Sequence, residues 1–193
     1  MISSLLNKTP TPLKYRWIFF LLISVFFSFP GLLPSGGQAR AQGKPNEQLG
    51  VSTGLVIPRY VSLKSGTVRM RRGPSKEHGV VWTYTKAGLP VEITAEYENW
   101  RKVRDWEGSE GWVFHTLLSG RRTVMVAPWQ KQGVIDLHKD AAEESAAVAR
   151  VGPNVVAKVR ACDKVWCRIS GDGFDGFIRQ KLVWGVYPDE NLK

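Results

Sequence analysis

Apolar and polar residues alternate along most of this chain with a period of two, and the alternating stretches come in two matching sets. Val91, Ile93 and Ala95 are separated by Glu92 and Thr94, which places the three apolar residues on one face of a strand. Val61 and Leu63, and then Val68 and Met70, alternate in the same way. Val80–Tyr84 is short and rich in β-branched residues, as strands are. Gly73, Pro74 and Ser75 make a turn in which glycine permits positive φ and proline fixes the next φ. Further turns fall at residues 87–90, at Glu98 and Asn99, and at residues 107–109. Gly111 inside a strand marks a bulge or a close backbone approach. Residues 115–118 suit one tight helical turn, and residues 121–126 read as a strand leading onward.

The second set repeats the first. Val91, Glu92, Ile93, Thr94 and Ala95, then Trp100 to Val103, then Gly111, Trp112 and Val113, have counterparts in Ala157 to Ala161, Trp166 to Ile169, and Gly176, Phe177 and Ile178. Leu137 matches Met70. Residues 140–145 replace the Gly-Pro-Ser turn, and residues 146–150 correspond to Val80–Tyr84, although their alanines also suit a helical turn. A repeat of this length with strand-type alternation predicts two small all-β domains in tandem.

The N-terminus breaks the pattern. Lys8, Lys14 and Arg16 precede an apolar run from Trp17 to Phe29, followed by Pro30, Gly31 and Pro34. Ala39, Arg40 and Ala41 have the small-x-small form of a signal-peptidase site, so residues 1–41 read as a signal peptide. The other reading is a retained anchor, but the run is shorter than the roughly 18–20 apolar residues that span a bilayer. Residues 42–56 read as a polar, flexible linker. Residues 57–122 form the first domain, 123–187 the second, and 188–193 a tail.

The net charge is +10. In an exported protein such a balance favours envelope polymers, acidic peptides or lipid headgroups, and argues against nucleic acid; it also simply keeps a protein soluble. The two cysteines, Cys162 and Cys167, flank a four-residue loop between strand-like segments, so a hairpin sets them opposite each other. Export favours a structural disulfide. A metal pair would need two more ligands, and a thiolate nucleophile usually sits at a helix N-terminus.

Seven of the eight tryptophans follow residue 41, a density that suits small barrels with thin cores. Trp100, Trp112, Trp166 and Phe177 are expected in the cores, because large aromatic residues are mostly buried. Tyr84, Tyr97, Trp106 and Phe114 are the surface candidates for ligand contact. Trp106, between two acids in a loop, reads equally as a recognition anchor or as packing against the other repeat. Arg71 and Arg101 belong to basic runs that suit carboxylates, since arginine clamps them bidentately. His78, His115 and His138 are scattered and build no catalytic triad; no zinc spacing and no phosphate loop occur. These features point to neither a cofactor nor a reaction, and a hydrolase is the poorest reading.

Val68-x-Met70-Arg71-x-Gly73-Pro74-Ser75, Gly88-Leu89-Pro90-Val91, Trp100-x-x-Val103 and Gly111-Trp112-Val113 with Leu117-Leu118 resemble the bacterial SH3-like domain family. The run from Leu89 to Arg122, with Trp166-Cys167-Arg168 and Leu182 to Val186, resembles its exported two-repeat branch in proteobacteria. The resemblance covers about residues 57–187 and is weaker in the second unit, which lacks Gly-Pro-Ser. It implies two tandem small β-barrels. It also implies non-catalytic binding of cell-wall peptides or of another envelope component, in the periplasm or outside the cell. The alternative is a structural or regulatory subunit that docks onto an envelope protein.

Overall fold

The computed structural model describes residues 48–193, and all of its regular structure is strand apart from two short 3-10 turns. The signal peptide expected at 1–41 and the start of the expected linker lie outside the described residues. Among the described residues no helix is long and apolar enough to cross a membrane.

The first half holds β1 (Gln48–Leu49), β2 (Val56–Ile57), β3 (Arg59–Leu63), β4 (Val68–Arg71), β5 (Val80–Tyr84), β6 (Pro90–Tyr97), β7 (Trp100–Arg104), β8 (Glu110–Phe114) and β9 (Leu118–Ser119). The second holds β10 (Thr123–Val126), β11 (Ile135–His138), β12 (Ala147–Val151), β13 (Val156–Asp163), β14 (Trp166–Gly171), β15 (Phe174–Arg179), β16 (Val183–Trp184) and β17 (Asn191–Leu192). The 3-10 turns His115–Leu117 and Gln180–Leu182 sit at the same place in each half. One sheet runs β5-β4-β8-β7-β6-β3-β9 and the other β12-β11-β15-β14-β13-β10-β16, the same order element for element. The fold is thus all-β, with two curled SH3-like sheets in tandem. Of the stretch open to a helical reading, residues 147–150 are strand.

Each sheet closes on its own core. Val61, Leu63, Val68, Met70, Val91 and Val103 lead the first. Val124, Val126, Leu137, Ile169, Ile178 and the two cysteines lead the second. Gly111 is the close approach foreseen in the sequence: a Cβ there would lie 2.5 Å from the Met70 side chain and 2.8 Å from the Arg71 carbonyl.

The expected inward position of Ala95 is corrected by a bulge. Ile93 pairs with Val103, but the next pair is Ala95 with Lys102, so Thr94 is the extra residue. Ala95 turns outward with Lys102, and Glu96 faces Arg101 on the core side. The same bulge recurs between Val159 and Ala161, and there Cys162 faces Cys167. The two are joined by a disulfide. Register therefore puts a covalent bond in the second barrel where the first has an ion pair.

The stretch expected to be a flexible linker is bound from Gln48 onward. β1 pairs antiparallel with β2. The turn between them donates to the buried Glu96 carboxylate, from the Ser52 and Thr53 amides at 3.0 and 2.9 Å and from the Thr53 hydroxyl at 2.7 Å. The tail is tied down as well: β17 extends β13 beside Cys162, and Glu190 pairs with Arg122 at 2.9 Å. Both corrections have one cause. The buried end of each β6–β7-type hairpin needs a cover, and the flanking segments provide it.

Between the barrels the Tyr187 hydroxyl donates to Glu92 at 2.9 Å, and Thr123 donates to the Gly88 carbonyl at 2.7 Å. Tyr60 packs on Trp184 and Tyr187, with ring centres 5.2 and 4.7 Å apart. Burial, reinforced by Glu92, pushes the Tyr60 and Tyr187 hydroxyls well above their ordinary pKa, so both stay protonated.

Candidate functional site

Alternation fixes two faces on the first sheet. On β4, Val68 and Met70 turn in, leaving Arg69 and Arg71 out; on β8, Gly111 and Val113 turn in, leaving Trp112 and Phe114 out. On β7, Val103 turns in, so Trp100 and Lys102 face away from the core. Register then aligns these outward residues. Arg71 lies opposite Trp112, Lys102 opposite Trp112, and Trp100 opposite both Phe114 and Tyr97. The result is an aromatic row, Tyr97, Trp100 and Phe114, beside a basic strand.

A groove of about 370 Å³ runs along this face. Trp100 and Phe114 form its floor, meeting edge to face with ring centres 5.4 Å apart. Arg69, Arg71 and Lys76 line one side, and no carboxylate lines it. Arg71 is aimed by its own loop: it donates to the His78 carbonyl at 2.7 Å. That loop is tight because His78 packs over Gly73, where a Cβ would lie 2.4 Å from the imidazole. Arg69 and Lys76 are exposed. Such a groove offers an apolar ring surface and a cationic wall, the means to hold an extended peptide that carries carboxylates.

Several sequence expectations change. Trp100 is buried as expected, but outside the inner cluster of the first barrel, and Trp112 is not fully buried. Trp100 is covered by Phe114 on the outer face, and Trp112 is half-buried there. Arg101 is buried, donates to the Glu98 and Trp100 carbonyls at 2.8 Å, and lies 3.5 Å from Glu96, away from the outer face. Tyr84 is buried, and its hydroxyl donates to Asp105 at 3.0 Å. Burial, with Asp105 adding to it, raises that hydroxyl's pKa. Trp106 is half-buried and lines a separate hollow that includes Met125 of the second barrel. Tyr97, Phe114 and Arg71 share the outer face. Trp100, buried under Phe114, faces the same way.

The second barrel builds the same face and closes it. His138 stands opposite Phe177 as Arg71 does opposite Trp112, and Trp166 stands opposite Arg179 as Trp100 does opposite Phe114. Trp166 and Phe177, expected in the core, are therefore also on the outward face. Trp166 is buried because the Arg179 guanidinium lies over its ring at 4.3 Å. Glu143 fixes that arginine at 2.6 Å, and the His138 ring meets Trp166 at 5.4 Å. Glu143 comes from the loop that stands in place of Gly-Pro-Ser. Both indoles are buried, Trp100 under the Phe114 ring and Trp166 under the Arg179 guanidinium, so the cation stands free beside the groove in the first barrel and on the ring in the second.

Among the described residues no three His, Cys, Asp or Glu side chains gather as metal ligands would. The profile of the bacterial SH3 domain family matches residues 64–120 and again residues 132–185. No curated protein matches the sequence.

Proposed function

Because the chain belongs to the bacterial SH3 domain family, we propose that it is an exported, non-catalytic binding protein whose first barrel holds a carboxylate-bearing peptide of the cell wall. Domains of this family generally take part in cell-wall binding, as modules and not as enzymes. The observation that carries the reading is the groove itself: an aromatic floor of Trp100 and Phe114 under a wall of Arg69, Arg71 and Lys76. Wall peptides present free carboxylates on an extended backbone, which this combination suits. Residues 1–41 would direct export to the periplasm or beyond, and the Cys162–Cys167 bond fits an oxidising compartment. No cofactor enters this reading.

Pelleting with purified sacculi tests it. Wild-type protein co-sediments, whereas Arg69→Glu combined with Lys76→Glu, both at exposed positions, loses at least about tenfold in affinity with an unchanged melting curve. Equal pelleting of wild type and variant removes the groove from the binding surface.

A docking role onto an envelope protein has its own support. β5 is an edge strand, and its Val80, Val81 and Trp82 are 42, 46 and 54% exposed. An edge of this kind accepts an added strand from a partner. A stoichiometric partner captured by wild type and lost in Val81→Lys would favour this second reading.

A further inference from the structure

We propose that the cleft between the two barrels is a second binding site, which takes a small amphiphile with a single anionic head. The cleft encloses about 590 Å³, within the range of sites for drug-sized molecules. Its walls come from both barrels: Tyr60 from the first, and Trp184, Val186 and Tyr187 from the second. These rings are set before any ligand arrives. Tyr60 is wedged against Trp184 and Tyr187, and Tyr187 is hydrogen-bonded to Glu92. A preorganised aromatic wall loses little entropy on binding.

The lip explains the head group. Val165 is half-exposed on the β13–β14 turn, an apolar side chain facing water beside an aromatic wall. Lys164 and Lys181 flank it, both exposed and neither held in an ion pair among the described residues. Arg179 also lines the cleft, but its charge is engaged by Glu143. Asp189 is the one acid in the lining. The balance is positive at the mouth and apolar within. That differs from the groove of the first barrel, where cations run along the whole side, and it fits an apolar body that ends in one anion.

The two sites are independent, so the test separates them. The probe is decanoate, with acetate and the uncharged nonyl glucoside as controls, titrated into labelled full-length protein below the micellar range. Decanoate shifts the Trp184 indole and the Val165 amide saturably, one per chain, and each control binds at least about tenfold more weakly. Lys164→Glu with Lys181→Glu weakens decanoate by at least about tenfold and leaves sacculus pelleting unchanged. Arg69→Glu with Lys76→Glu does the reverse. Absence of saturation, equal binding of nonyl glucoside, or indifference to the Lys164 and Lys181 reversals would overturn the proposal.

Discussion

Glu96 and Arg101 face each other across β6 and β7 at 3.5 Å, in the register position where Cys162 and Cys167 are bonded in the second barrel. The two barrels thus close the same end of the same hairpin by different chemistry, one pH-sensitive and one redox-sensitive.

The Glu96 end should open in acid. Burial opposes the carboxylate's charge, but hydrogen bonds from Thr53 and Arg59 and from the Ser52 and Thr53 amides outweigh it, and hold the pKa at about 2. A folded pKa below the unfolded 4.5 means stability that is complete above about 4.5 and lost as pH falls toward 2. Protection of the Ser52 and Thr53 amides against exchange should fall across that window. In Glu96→Gln protection should be low and flat with pH; a wild-type curve from that variant would refute the assignment.

The Cys162 end should weaken on reduction. The bridge closes a short loop, for which chain entropy gives about 2 kcal/mol. Denaturation with and without reductant, followed through Trp166, should differ by about that amount. Cys162→Ala with Cys167→Ala should match the reduced protein.

Replacing Arg179 should uncover Trp166. A guanidinium stacked on an indole contributes about 0.5–2 kcal/mol, so Arg179→Ala should lose stability on that scale. Its clearer signature is optical: iodide should quench one further tryptophan. Glu143→Gln should give a partial form of the same effect. Unchanged quenching in both variants would mean that something else covers the ring.

Tyr187→Phe probes the junction. It removes one donor to the buried Glu92, which keeps its hydrogen bonds from Arg104 at 2.9 and 2.5 Å. A hydrogen bond to a charged group contributes about 1.5–3 kcal/mol, and the remaining partners put the loss at the lower end. Chemical denaturation measures the total. Coupling of the barrels through this contact predicts one transition in wild type and a broader one in the variant.

The repeat, most of the strand segments and the cysteine pair were legible in the sequence, because each rests on local alternation or on a short hairpin. The faces were less so. Trp100 and Val103 are three positions apart and cannot share a side of a regular strand, so parity sets Trp100 on the outer face; the burial expected of a tryptophan holds there all the same, because Phe114 covers the ring. The same parity separates Trp112 and Phe114 from Gly111 and Val113. The bulge at Thr94 left no such trace, since Val91, Ile93 and Ala95 alternate without a break. Nor did the capping of Trp166, which depends on Glu143 arriving from a loop 36 positions away in sequence.

The pairing of β17 with β13 brings the C-terminal residues back beside the hairpin turn that carries Lys164 and Val165. An affinity tag appended after Lys193 would therefore start close to the inter-barrel cleft and compete for its mouth. A dye placed there would instead serve as a reporter, its emission following occupancy of a cleft whose Tyr60 and Trp184 walls lie more than a hundred residues apart in the chain but in ring contact in space.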